Sequence, residues 1–198
     1  MQIRSKTSFF LLSLIIIATI ASAFMFSDFK LSTSNTGINS QESTCSTGDA
    51  VIDLSEGVCL YIDGNDRLSE AISNEIEEKL RQEGKGVFRV KELENRYDYP
   101  ALLVSVSSEK VSYIPFFPSA RVNVVYLYSS TGETKYFNKY KDGETPVVRF
   151  FGYSNGEVLK EGELEINDFT KGIISLKAYQ NHLAENVASN IIESLVQT

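Results

Sequence analysis

The sequence predicts an α+β fold, an antiparallel sheet with two helices packed on one face, preceded by an N-terminal transmembrane or signal segment. Three observations predict it: an uncharged apolar run near the start, two segments of helical periodicity further on, and strand-like stretches between them separated by turn residues. With 198 residues, 42% of them hydrophobic and 11% aromatic, the chain has enough apolar side chain for one packed domain beyond that run. Domains usually hold roughly 100–200 residues, and disordered chains are poor in aromatics.

Residues 1–7 form a short basic N-terminus carrying Arg4 and Lys6. From Ser8 to Ser27 the chain reads SFFLLSLIIIATIASAFMFS, without charge or proline. A helix of that length, at about 1.5 Å per residue, spans about 30 Å, the hydrocarbon thickness of a bilayer. Positive charge before the run holds the N-terminus in the cytoplasm and sends the rest out. A cleaved signal peptide is the competing reading, with Ala21-Ser22-Ala23 as a small-residue site and cleavage near Ala23. The run continues through Phe24, Met25 and Phe26, which an anchor needs and a cleaved signal does not, so residues 8–27 are expected to stay as a single-pass anchor. The domain is then extracytoplasmic, with secretion or a periplasmic location as the alternative after cleavage.

Residues 28–50 include KLSTSNTGINSQESTCST, from Lys30 to Thr47, which is nearly devoid of apolar side chains. Such a composition predicts a flexible tether, so the folded domain is expected over residues 51–198. Its first strand is Val58 to Ile62, with a turn at Asp63-Gly64-Asn65. Leu68, Ile72, Ile76 and Leu80 then recur every four residues, an amphipathic helix capped by Asn65 or Asp66 and stopped by Gly84 or Gly86. Val87 to Val90, Ala101 to Tyr113 and Arg121 to Tyr128 read as strands. The turn Ser130-Thr131-Gly132-Glu133 is expected to lead into a further strand, Thr134 to Tyr140, as a hairpin. Val147 to Tyr153 and Val158 to Ile166 predict a second hairpin across Ser154-Asn155-Gly156. A closing helix carries Leu176, Tyr179, Leu183, Val187, Ile191 and Leu195 on one stripe.

The net charge is −7. Setting aside Arg4, Lys6, Lys30 and Asp28 leaves 16 basic against 25 acidic residues beyond the apolar run. Nucleic-acid binding relies on clustered Lys and Arg neutralising phosphates, so this balance excludes it. Cys45 and Cys59 have thirteen residues between them. In an oxidising compartment they predict a disulfide closing a loop worth about 3 kcal/mol in the chain-entropy model. Two thiols and one distant histidine do not complete a zinc shell, so no metal and no cofactor is expected.

No nucleophile elbow, zinc-protease helix, phosphate loop or dinucleotide fingerprint occurs, and no catalytic residue is assigned. His182, the one histidine, is expected to be a partly exposed helical residue beside the apolar stripe. Glu161, Glu163 and Glu165 alternate along one strand and so share a side; a solvated face explains them, and a carboxylate site is the alternative. Asp63, Asn65 and Asp66 lack the spacing of a calcium loop. Ile114-Pro115-Phe116-Phe117-Pro118 brackets two aromatics with prolines that a paired strand does not tolerate. Such a loop folds back on the core, the expectation here, or is exposed and touches a protein or lipid; Phe116 and Phe117 are the candidate binding residues.

From Cys59 onward the order of elements, with RLSEAISNEIEEKLRQEG as a helix, Tyr99-Pro100-Ala101-Leu102-Leu103-Val104-Ser105-Val106 as a strand start and VNVVYLYSSTGETKY as strand, Thr-Gly turn and strand, resembles the lipopolysaccharide-assembly lipoproteins that plug the outer-membrane translocon. The resemblance implies an envelope protein. The chain departs from that family in having no cysteine directly after its apolar run; Cys45 lies well past it. Together these readings lead to the expectation of a membrane-tethered, non-enzymatic envelope protein that binds a protein or glycolipid partner through its sheet edge or aromatic loop, with envelope assembly as the expected setting. A carboxylate-dependent extracytoplasmic hydrolase and a structural module of a larger envelope complex are the alternatives.

Overall fold

The structure, a computed structural model, describes residues 3–144 and 156–196, with side chains from residue 10 onward except those of 108 and 109. The elements are α1 (Ile3–Phe26), β1 (Lys30–Ser46), β2 (Val58–Asp63), α2 (Arg67–Gln82), β3 (Val87–Val90), β4 (Ala101–Ser112), β5 (Ser119–Ser129), α3 (Phe137–Lys141), β6 (Val158–Ile174) and α4 (Leu176–Val196). Among the described residues, six strands form one sheet in the order β1-β6-β5-β4-β2-β3. The fold is α+β, as the sequence predicts.

The sheet is mixed, not antiparallel. β2 runs parallel to β3 on one side and to β4 on the other, whereas β4, β5, β6 and β1 alternate in direction. The helix α2 causes part of this, because a helical crossover returns the chain to the start of the sheet and makes β3 parallel to β2. Hydrophobic alternation gives a strand's faces and leaves its direction open.

One face carries α2 and α4. Leu68, Ile72, Ile76 and Leu80 of α2 are buried, as their spacing requires, against Leu60, Leu102, Val104, Val122 and Val124 of the strands. Each such side chain contributes about 1.5–3 kcal/mol when removed from water. Asp66 caps α2, its Oδ1 accepting from the Ser69 amide at 2.7 Å. Beneath α4, Gly162 leaves the space into which the Tyr126 ring fits; a Cβ there would collide with that ring. The Tyr126 hydroxyl then meets Ser194 Oγ at 2.5 Å. Buried Lys160 has its charge met by Glu42 at 3.1 Å and donates to the Ser194 carbonyl at 2.5 Å.

The expected tether is a strand. All seventeen residues of β1 pair with β6, from Lys30 opposite Ile174 to Ser46 opposite Val158. Backbone pairing does not need apolar side chains, and the inward positions of β1 are matched to polar ones on β6. Ser34 Oγ meets Thr170 Oγ1 at 2.7 Å and Thr36 Oγ1 donates to Asp168 at 2.6 Å. Composition predicted disorder; a partner strand with a complementary polar stripe supplies the order.

One hairpin expectation also changes, and half of the other lies outside the described residues. The turn at Gly132 forms, with φ of 73° and a backbone approach so close to the Tyr97 and Tyr99 carbonyls that a Cβ has no room. It leads to the short helix α3, not to a strand over Thr134 to Tyr140, and β5 pairs with β4 and β6 instead. Phe137 of α3 is buried against Ala101, Leu103, Leu127 and Leu159 on the sheet's second face. Val147 to Tyr153 lies outside the described residues, while Val158 to Ile166 is the first part of β6.

Candidate functional site

At one end of the sheet, the last residues of β6, the first of β1 and the turn between β4 and β5 come together. Pro115 and Pro118 lack an amide hydrogen, so β5 starts only at Ser119. Their carbonyls still serve. Pro118, Phe116 and Pro115 accept from the amides of Thr170, Gly172 and Ile174 at 3.0, 3.1 and 3.0 Å, running the loop alongside β6. Tyr113 donates to the Ile174 carbonyl at 2.7 Å.

The backbone of this loop is held, yet its rings are not. Phe116 is 52% and Phe117 56% exposed, and Ile114 is exposed beside them. The expectation that the loop folds back on the core is corrected here for its two aromatics, because the loop residues 115–118 are anchored through main-chain carbonyls, which leaves the rings of Phe116 and Phe117 outward.

The same end receives α1. Ser175, the buried residue before α4, donates its hydroxyl to the Ser27 carbonyl at 2.6 Å and its amide to the Phe29 carbonyl at 2.9 Å. Phe24 and Phe29 rings lie 5.9 Å apart, and the Arg67 guanidinium stands 4.7 Å over the Phe26 ring. Upstream of this junction the side chains of Phe10, Leu11, Leu12, Leu14, Ile15, Ile16, Ile17 and Ile20 are all exposed. Among the described residues no helix is long and apolar enough to cross a membrane; the described side chains of α1 begin at Phe10, inside its apolar run.

Just inside this end sits a buried polar cluster. Asp168 on β6 receives Thr36 Oγ1 at 2.6 Å, Thr170 Oγ1 at 3.0 Å and His182 Nε2 at 3.1 Å. Burial pushes the Asp168 carboxyl up, but the hydrogen bonds from His182, Thr36 and Thr170 outweigh it and hold the group below the usual carboxylate range. His182 therefore has the carboxylate partner that sequence spacing did not place, and its side chain is largely buried. A nucleophile triad needs carboxylate and hydroxyl on opposite ring nitrogens. Here Thr36 and Asp168 both approach Nε2, at 3.3 and 3.1 Å, so the cluster ties β1, β6 and α4 together.

The three glutamates share the face opposite the helices, as alternation predicts, but meet different fates. Glu165 pairs with Arg121 at 3.5 Å and accepts from Asn167 at 2.8 Å, and Glu163 is exposed. Glu161 is half-buried; burial pushes its carboxyl up, and its Oε2 finds no hydrogen-bond partner among the described residues. It borders a cleft of about 270 Å³ with Gln41, Ser43, Tyr140 and Glu163. Burial, with the charge of Glu161 adding to it, pushes the Tyr140 phenol up to about 12. Among the described residues, no three His, Cys, Asp or Glu side chains converge as a metal site. Asp63 pairs with Lys141 at 2.6 Å and Asp66 caps α2, which accounts for the acidic turn.

Cys45 and Cys59 are not joined; one is exposed and the other buried. They lie in one row across the sheet, Cys45 opposite Leu159, Ser129, Ala101 and finally Cys59. Four strand spacings of about 4.8 Å separate them, far beyond the about 4.4–6.8 Å between Cα atoms that a disulfide bridges.

No family model matches this chain, and no curated protein matches it. Among the solved structures similar to it are two dodecamers of PelC from Paraburkholderia phytofirmans, one a leucine-to-methionine variant. Each is 10% identical over 76% of this chain and 95% or 96% of its own, with TM-scores of 0.35 and 0.36. A likeness this distant carries no argument about this chain.

Proposed function

We propose that this chain is a membrane-tethered, non-enzymatic envelope protein: α1 anchors it, the α+β domain stands outside the cytoplasm, and its sheet edge or aromatic loop binds a protein or glycolipid partner. One observation carries the reading. Apolar side chains stand exposed along α1 from Phe10 to Ile20, and its contacts with the domain are made by its last turn. An apolar helix without protein cover is stable in lipid and costly in water. The uncharged sequence from Ser8 to Ser27 and the basic residues before it support the same orientation. Arrangement of α1 as one helix through Ala21-Ser22-Ala23 to Phe26 supports retention over cleavage. The sequence resemblance to the lipopolysaccharide-assembly lipoproteins suggests a role in envelope assembly, with α1 in place of a lipid anchor, although the helix α3 stands where that order has a strand after the Thr-Gly turn.

The test is the mass of the mature protein's N-terminal peptide. A retained Ser8 to Ser27 segment in the membrane fraction supports the anchor; a chain starting at Phe24 overturns it.

A second reading has its own observation. Among the described residues, Glu161, half-buried with its carboxyl pushed up and bordering a cleft with Tyr140, is placed like a general acid, which favours the carboxylate-dependent hydrolase. Its test is Glu161→Gln: a hydrolytic activity of the purified chain lost with that substitution supports this reading, and an activity unchanged by it removes the candidate.

A further inference from the structure

We propose that the α1 end of the domain rests directly on the bilayer, with Phe116 and Phe117 inserted into the headgroup layer of the leaflet from which α1 emerges. The inference rests on the reading of α1 as an anchor and names what the aromatic loop binds.

The geometry leaves the domain little freedom to stand off. Only Ser27, Asp28 and Phe29 separate α1 from β1, and two hydrogen bonds from Ser175 fix that link. The loop is fixed relative to the same point. Phe116 is bonded beside Gly172, two residues before Ile174, and Ile174 lies opposite Lys30, the first residue of β1. Two residues along a strand and two strand spacings across it place the Phe116 backbone within about 12 Å of Lys30, four residues after the end of α1. The headgroup layer is about 5–8 Å thick on each side of the hydrocarbon, and a phenylalanine side chain spans much of the remaining distance. With α1 ending at the hydrocarbon boundary, both rings lie within reach of the interface.

The chemistry of this end suits a lipid surface. Phe116 and Phe117 project from a backbone already held by three hydrogen bonds and stiffened by two prolines, so insertion orders little that is not ordered. Among the described residues neither ring has a ring or cation partner. Phe88 and Tyr99 at the opposite end, also exposed, stack on each other at 4.7 Å. Phe26, Phe29 and Leu31 add exposed apolar surface next to α1. Lys30, Arg67 and Lys177 lie here among Asp28, Glu70, Glu75, Glu78 and Glu185, with Lys177 paired to Asp28 at 3.9 Å, and α2 and α4 both begin here, turning their positive dipole ends outward.

The chain has no tryptophan, so single substitutions report depth without background. Phe116→Trp, Phe117→Trp, Leu14→Trp in α1 and Phe88→Trp at the opposite end would each be reconstituted as full chain into phosphatidylcholine–phosphatidylglycerol bilayers, with and without brominated acyl chains. The expected result is quenching by brominated lipid and blue-shifted emission for Leu14→Trp, Phe116→Trp and Phe117→Trp, and none for Phe88→Trp. Quenching at Leu14 with none at either loop position overturns the seating while leaving the anchor standing, and points to a protein cover for the loop. Absence of quenching at Leu14 overturns the anchor, and the seating with it.

Discussion

Asp168 and Glu161 stand on the same strand, near opposite ends and on opposite faces of the sheet, and burial acts on both carboxyls in the same direction. Their outcomes differ because of their partners. Asp168 accepts from Thr36, Thr170 and His182 and is held below the usual carboxylate range, whereas Glu161 has one oxygen without a partner among the described residues and is pushed above it. The end near α1 is therefore tied together by polar contacts under the surface and presents apolar rings outside. At the far end Phe137, the first residue of α3, is buried, the exposed rings of Phe88 and Tyr99 stack on each other, and a carboxylate is left in a cleft.

Phenylalanine truncation should separate the ends most strongly. Phe137→Ala is expected to cost about 3–5 kcal/mol, as buried aromatic deletions do. Phe117→Ser at the α1 end should stay within about 0.5 kcal/mol, as surface changes do. Equilibrium denaturation in urea measures both, and comparable losses would break the contrast.

Asp168→Asn should come next, at about 2 kcal/mol near neutral pH, since hydrogen bonds to a charged group are lost or weakened. The pH dependence carries a sign. The folded-state pKa of Asp168 is depressed, so its contribution is complete above the unfolded value of about 3.9 and disappears as pH falls through the folded one. Stability of the natural chain should thus decline below about pH 4, and the decline should be shallower in Asp168→Asn.

Glu161→Gln is expected to have the smallest effect and the opposite sign. Its folded-state pKa is raised, so ionising it opposes folding once pH exceeds the unfolded value of about 4.3. Glutamine there should leave the protein equally or slightly more stable at neutral pH and unchanged well below pH 4. Thermal melts at both pH values check this; a clear loss of stability at neutral pH would mean that Glu161 has a partner in the folded chain.

Much of the helix face was legible in the sequence. Leu68, Ile72, Ile76 and Leu80 recur every four residues and are buried, and the alternating valines of Arg121 to Tyr128 face the helices as period two requires. What escaped depends on partners far along the chain. β1 reads as a linker because Ser, Thr and Asn dominate it, and only the polar stripe of β6, more than a hundred residues later, makes it a strand. Asp168 and His182 are unremarkable separately and become a cluster when α4 folds across β6. Phe116 and Phe117 were found as a motif, but their exposure follows from which carbonyls of the loop β6 engages. A tether would have put slack between α1 and the domain; β1 removes it.

That absence of slack is the central claim, and amide hydrogen exchange of the full chain in lipid nanodiscs tests it most directly. Strand pairing along β1 predicts that the amides of β1 hydrogen-bonded to β6 between Lys30 and Ile38 exchange as slowly as those of β5, near the limit of global unfolding. Exchange across that stretch at the rate of an unstructured linker would contradict it.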